Sequence, residues 1–225
     1  MYWNDTETDQ DNSISDDVID LVYTIRCKML PVDHAWPLSE ALLEYLPWLK
    51  KEDCAGIHPI HISEEANGWM RPDNPDDILH LSQRTRLILR VPKNREDDAR
   101  TLVGTKMDIA GNSMEIIAVN RKLLSAITTV FSRYIVSEDD EEVFMNGVVK
   151  SLSEINIQPD KMLPGKKRMI RTPDGNIETR SLMLTDISVQ ESIRLQQKGL
   201  GPYRHLGCGL FVPHKDILAV SPELF

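Results

Sequence analysis

Close to the C-terminal end, Gly199-Leu200-Gly201-Pro202-Tyr203-Arg204-His205-Leu206-Gly207-Cys208-Gly209-Leu210-Phe211 sets four glycines around a tyrosine, an arginine and a histidine. Glycine tolerates positive φ and lets a backbone come close to a ligand, and exposed N–H groups in such a loop form a concavity that suits an anion. With Lys198 beside it, the loop fits a phosphodiester backbone. Lys198, Gly199, Gly201, Tyr203, Arg204, His205, Gly207 and Gly209 are therefore expected to contact a nucleic acid. The pattern is not a dinucleotide fingerprint, because it follows a helix and precedes a strand rather than the reverse. A tight turn between helix and strand accounts for the glycines too, on spacing alone.

A second cationic stretch holds Lys161, Lys166, Lys167, Arg168 and Arg171 ahead of the Pro173-Asp174-Gly175 turn. A protruding basic hairpin can track phosphates or grip a stem. Arg84, Arg86 and Arg90 recur at every second or fourth position and are read on one strand face, on the side of a sheet that helices leave open. Among the histidines, His34 precedes a helix in Leu30-Pro31-Val32-Asp33-His34. Taken on its own residues, it is a structural histidine held by Asp33 or by the helix start. His58-x-x-His61 and His205-x-x-Cys208 invite zinc, but zinc needs three or four converging ligands, and residues three apart on a strand face opposite ways. No metal and no cofactor is expected. His80 and His214 are read as surface residues, and Tyr23, Trp36 and Trp69 as packing residues ahead of any base-stacking role.

The elements that must position these residues follow from hydrophobic period. From Val18 to Lys28, Ile19, Leu21, Tyr23, Ile25 and Cys27 alternate with polar residues, which predicts a half-buried strand. Pro37 suits the first turn of a helix, Leu38, Leu42, Tyr45 and Leu46 follow at helical spacing, and Pro47 ends it. Strands are expected at Gly56 to Ile62, at Thr85 to Val91 and in pieces from Lys106 to Val119, with a helix capped by Asn94 and closed by Gly104. The second half repeats the order: a strand at Val130 to Val136, a helix opened by acids at Glu138 to Glu142, and a hairpin turning at Thr172-Pro173-Asp174-Gly175. A helix with the capping box Ser188-Val189-Gln190-Glu191 follows, then a last strand at Gly209 to Pro213. Twice over this is β-α-β-β-α-β, so the fold class is α+β: two tandem ferredoxin-like domains with a C-terminal glycine-rich loop. The expected organisation is an acidic disordered tail at 1–17, an N-terminal domain at 18–122, a joint near Lys122 to Ile127 and a C-terminal domain at 127–225.

With 225 residues, 41% hydrophobic and 27% charged, the chain has material for one large or two small cores. No run of ~20 apolar residues would span a membrane, and the acidic, polar start is unlike a secretory signal. With the three scattered cysteines, this reads as a cytoplasmic protein. The net charge of −9 argues against nucleic acid until it is mapped: residues 1–17 hold six acids and no Lys or Arg, whereas 161–215 hold ten Lys and Arg against four Asp and Glu. Binding depends on the local surface, so an RNA partner stays open, and the acidic start is either a solvated terminus or a flap that competes with RNA for the basic half.

The glycine-rich loop after a second ferredoxin-like unit resembles the RAMP superfamily of CRISPR-associated proteins. With Leu30-Pro31-Val32-Asp33-His34 before the first helix and Thr179-Arg180-Ser181-Leu182-Met183-Leu184 before the last, the chain is similar, from about Val18 to Asp216, to the Cas-six type of endoribonuclease. That resemblance implies metal-independent cutting of precursor CRISPR RNA within its repeats. The ribose 2′-hydroxyl attacks the adjacent phosphate and leaves a 2′,3′-cyclic phosphate and a 5′-hydroxyl. It implies His34 as the catalytic residue, since the family usually places a histidine there, and adds Arg180 to the RNA contacts. A histidine before a helix N-terminus favours the neutral base form. Lys198 or Arg204 would stabilise the charged transition state. The implied partners are CRISPR repeat RNA and other subunits of a multisubunit effector complex, with no membrane. The alternatives are a non-cleaving RNA-binding subunit of such a complex, in which His34 is structural, and a plain two-domain interaction protein.

Overall fold

Alternation along the first strand decides how the molecule is layered. In the computed structural model, which describes residues 16–61, 74–137 and 140–214, strand β1 spans Val18–Arg26. Ile19, Leu21, Tyr23 and Ile25 point into a core shared with Leu38, Leu42, Ala99 and Leu102. Leu38 and Leu42 come from helix α1 (Ala35–Tyr45), and Ala99 from helix α2 (Glu96–Arg100). Tyr23 is a packing residue, its hydroxyl donating to Ala99 O at 2.8 Å.

The five-stranded first sheet runs β3 (Gly56–His58), β5 (Arg86–Pro92), β1, β7 (Asn112–Leu123), β6 (Lys106–Ile109). The second runs β11 (Val212–Pro213), β8 (Val130–Val136), β10 (Gly175–Thr185), β9 (Lys161–Thr172). In each, the opening strand lies between the third and the closing strand of its unit, and all pairings are antiparallel. That is the ferredoxin-like order, twice. Helix α3 (Glu141–Glu154) starts on Asp140, whose carboxylate accepts the N–H of Glu142 at 2.8 Å and of Val143 at 3.0 Å. Helix α4 (Val189–Lys198) opens on the expected Ser188/Glu191 capping box. Both helices feed a separate core with Val148, Leu152, Leu184 and Leu195.

Several boundaries differ from the sequence reading. β1 ends at Arg26, and Met29–Pro31 forms its own strand, β2, paired with β4 (Ile78–His80). Helix α2 begins at Glu96 rather than after Asn94, because Glu96, Asp97 and Asp98 in its first turn suit a helix N-terminus. Strand β3 stops at His58, and β11 starts at Val212, three residues late, after a 3-10 turn at Arg204–Leu206. The acidic start up to residue 15 and Trp69 lie outside the described residues; Asp16 binds Lys93 and Arg121 of the first unit at 2.5 and 2.7 Å. Among the described residues no helix is long and apolar enough to cross a membrane.

Candidate functional site

Two buried arginines turn the glycine loop inward. Arg90 sits directly opposite Asp20 in the β1–β5 register, on the polar face of the first sheet. Its guanidinium grips both Asp20 oxygens, at 2.8 and 3.0 Å, and donates to the carbonyls of Gln196 and Phe211, each at 2.8 Å. Burial raises the Asp20 pKa, but Arg90 and His58 outweigh it and hold the carboxyl below the usual range. His58 lies 3.8 Å from Asp20, too long for a hydrogen bond, and burial keeps its imidazole below the ordinary pKa against the pull of that carboxylate. Arg204 donates to four carbonyls: Ala55 at 3.0 Å, Cys54 at 3.1 Å, Lys198 at 2.6 Å and Gln197 at 3.1 Å. Burial draws its pKa down to about 10, so it stays charged at neutral pH.

The loop's glycines serve this closure. A Cβ on Gly199 would stand 2.0 Å from Arg204 Nη1, on Gly207 2.4 Å from Pro59 Cγ, and on Gly209 2.0 Å from Leu200 O. Gly201 alone of the four opens to space, with nothing within 4 Å of such an atom. The expected anion cradle is corrected accordingly: Arg204 and Gly207 fasten the loop to the first unit, Gly199 and Gly209 let the loop fold tightly on itself, and none of the four offers anything outward. Arg204 is equally removed from stabilising a transition state. Lys198, Gly201 and Tyr203 remain exposed, and Tyr203 holds a left-handed φ of 63°. Half-buried His205 meets the Tyr203 ring edge-on at 6.2 Å, and burial with the Lys50 charge lowers its pKa.

Arg180 is corrected in the same way. It is buried, ion-paired with Glu141, and lies over the Phe144 ring at 5.8 Å. Of the sheet face expected to carry three arginines, the part at Arg90 is covered by the second unit. Arg84 is exposed in the turn before β5, and Arg86 donates to its own turn at Gln83 O and Thr85 O, both 2.9 Å. Lys166 and Lys167 are exposed on β9, Lys161 is exposed 3.4 Å from Asp186, and Arg168 is half-buried.

His34 stands where the halves meet. Ala35 and Trp36 of the first α1 turn pack against Tyr134, Ile170, Leu206 and Cys208 of the second unit, and α1 touches both β9 and the Arg204–Leu206 turn. The imidazole is 1% exposed. Its Nδ1 lies 2.8 Å from Pro31 O and 3.1 Å from Val32 O, and its Nε2 accepts the Ile60 N–H at 3.0 Å. Two carbonyls can only accept, so Nδ1 carries the proton and the ring is the neutral tautomer with its lone pair on Nε2. The sequence places His34 at the right joint but gives no sign that Ile60 covers that lone pair. Next to it, the Asp33 carboxylate accepts the Arg171 N–H at 3.2 Å, and the Arg171 guanidinium binds Asp76 at 2.5 Å. Asp76, Asp20 and Ile60 escaped sequence reasoning, and Asp33, expected to hold His34, instead accepts from Arg171. For Asp20 a signal existed: it is the one acid on β1, and the neighbouring strand β5 carries two arginines, of which Arg90 falls opposite it. Among the described residues no three His, Cys, Asp or Glu side chains converge as metal ligands, and burial pushes the Cys208 thiol up to about 12.

Comparisons with known proteins agree with this architecture. The Cas6 CRISPR family model matches residues 19–216. A CRISPR-associated endonuclease Cas6 from Myxococcus xanthus strain DK1622 is 27% identical over 197 residues, covering 87% of this chain and 81% of that protein. A solved CRISPR-associated protein Cas6 superposes with a TM-score of 0.61 at 12% identity, over 88% of this chain and all of the other. The structure of a Cas6-related gene product from Pyrococcus furiosus gives 0.54 at 12% identity, over 86% and 97%. At those identities the solved structures speak for the fold, and the match across nearly the whole chain speaks for the family: this chain belongs to the Cas6 family of CRISPR proteins.

Proposed function

We propose that this protein binds CRISPR repeat RNA and cuts it without a metal ion, with His34 as the proton-transferring residue, and that it stays on its product within a larger effector complex. The observation that supports this most is the His34 ring itself. It sits where two ferredoxin-like units and the basic hairpin meet, its Nδ1 proton fixed on two backbone carbonyls, and Nε2 left as the one proton-accepting atom. A histidine oriented in this way is set to act as a base: Nε2 takes the 2′-hydroxyl proton, the freed oxygen attacks phosphorus as the P–O5′ bond breaks, the departing 5′-oxygen takes a proton from water, and the imidazolium returns its proton to the solvent. For that, RNA must draw the Ile60 N–H off Nε2. The RNA-facing set is Lys161, Lys166, Lys167, Arg168 and Arg171 on the hairpin, with Lys198, Gly201, Tyr203 and His205 at the outer rim of the glycine loop and Arg84 and Arg86 at the start of β5.

One observation favours a second reading. The same ring is 1% exposed with both nitrogens engaged, as befits a structural residue in a non-cleaving RNA-binding subunit. Cleavage of repeat RNA in excess EDTA separates the two. Under the first reading the native chain cuts, its product ends in a cyclic phosphate, and His34→Ala loses about 10²–10⁴ in rate while still binding and melting cooperatively. Tight binding without cutting establishes the second.

A further inference from the structure

Asp33 makes a bond that neither the expected chemistry nor the fold of either unit calls for. β9 is the edge strand of the second sheet, so half of its backbone groups point away from β10. At Arg171 that outward N–H is taken by Asp33 Oδ2 at 3.2 Å, from the other half of the molecule and 138 residues away in sequence. The Asp33 side chain is only 11% exposed, and it lies 3.9 Å from the Arg171 Nε. Asp33 is held in turn by its own N–H, 3.4 Å from Pro75 O, and by Val32 N–H on Asp77 O at 2.9 Å. It therefore has a fixed place at the start of α1.

We propose that Asp33 is a positioning residue for RNA cleavage: by capping the Arg171 N–H, it sets the basic β9–β10 hairpin at a defined distance from the neighbouring His34. The inference rests on the endoribonuclease reading above. Its chemistry is that of register. Cations on the hairpin hold phosphates, His34 must meet one 2′-hydroxyl, and a displacement of ~1 Å between the two costs up to ~10²-fold in rate. The bond requires an oxygen acceptor of aspartate length, not a negative charge. Burial already disfavours the charged carboxylate, raising its pKa against the pull of Arg171.

The test separates position from charge. Single-turnover cleavage of repeat RNA by saturating protein gives the rate constant, and a filter-binding titration gives affinity. Asp33→Asn keeps the acceptor and cuts near the native rate. Asp33→Glu keeps the charge but moves it by a methylene, and Asp33→Ala removes both; each cuts about tenfold to a hundredfold slower, with affinity near native and cut sites spread over neighbouring phosphates. Exchange of the Arg171 amide reports the bond itself, protected in the native chain and Asp33→Asn, and released in the other two. Equal slowing in Asp33→Asn and Asp33→Glu overturns the proposal, as does a loss confined to affinity or no slowing in Asp33→Ala. If the native chain cuts nothing, the endoribonuclease reading fails and this role falls with it. If the native chain cuts and the variants match it, only Asp33 is displaced.

Discussion

The glycine-rich loop and the β9–β10 hairpin are both basic, both follow a helix of the second unit in sequence, and both look like phosphate-binding elements in the sequence. They end up opposite. The loop points its arginine inward, where Arg204 meets four backbone carbonyls, while the hairpin leaves Lys166 and Lys167 exposed. The difference lies in what each must satisfy. The loop and the end of α4 cover the polar face of the first sheet, and the free carbonyls of a helix C-terminus and of Cys54 and Ala55 need donors once water is excluded. A guanidinium, with five donors in a planar fork, meets that need, and a lysine does not. The hairpin is an edge, and edges stay charged and solvated.

The largest expected effect comes from undoing the inward half of that contrast. Arg204→Met leaves buried carbonyls unpaired and lowers unfolding free energy by about 3–5 kcal/mol, measured by chemical denaturation. The glycines divide the same way. Gly209→Ala, at φ +68° and with its Cβ 2.0 Å from Leu200 O, is strongly destabilising. Gly201→Ala, at φ +74° but facing open space, costs only the ~1–2 kcal/mol of left-handed backbone. Equal costs at the two positions would mean that the loop does not close on Leu200.

On the outer side the loss is in binding rather than folding. Lys166, Lys167 and Arg168 changed together to alanine leave the melting temperature in place and weaken repeat-RNA binding about tenfold to a hundredfold. The slope of log affinity against log salt falls by ~0.7–0.9 for each phosphate contact removed. An unchanged slope would remove the hairpin from the interface.

How far these contrasts were legible in the sequence follows from the same physics. Period-2 alternation in β1, the capping box at Ser188 and the turn at Pro173-Asp174 are local, and they carried the tandem ferredoxin-like order. Which way Arg204, Arg180 and Arg90 point depends on partners far along the chain: Arg90 on Phe211 is 121 residues away, and Arg204 on Cys54 is 150. No window of sequence contains both ends of such a bond. Glycine spacing has the same ambiguity, since close approach by a ligand and close approach by the protein's own Leu200 or Pro59 demand the same residue. For His34, sequence located the joint but not the Ile60 N–H, because Ile60 reaches it from a segment set by β3.

The buried cluster between the units gives a smaller, pH-dependent effect. His58 is held neutral mainly by burial, with Arg90 and Arg204 adding to this and Asp20 opposing it. The unfolded chain takes up a proton near pH ~6.5 that the folded chain binds less readily, so stability falls as the pH drops below that value. Asp20 has the usual carboxylate sign: its folded pKa lies below 3.8, so the stability it contributes is present above pH ~4 and lost as the pH falls further. Denaturation midpoints across pH 3–7 check this as two successive declines, and His58→Gln removes the upper one.

The smallest effect comes from the cation where inward and outward roles meet. Arg171 is half-exposed on the hairpin, yet its guanidinium is already bound by Asp76, whose carboxyl that bond draws below the usual range. An RNA phosphate must displace Asp76 to reach it. Asp76→Asn weakens the competitor without touching the Arg171 N–H on Asp33, so repeat-RNA affinity rises about twofold and the salt slope steepens. Titrations of the native and variant proteins at two salt concentrations resolve that change. If affinity stays put, Arg171 spends its charge on the protein, and only its backbone serves the RNA site.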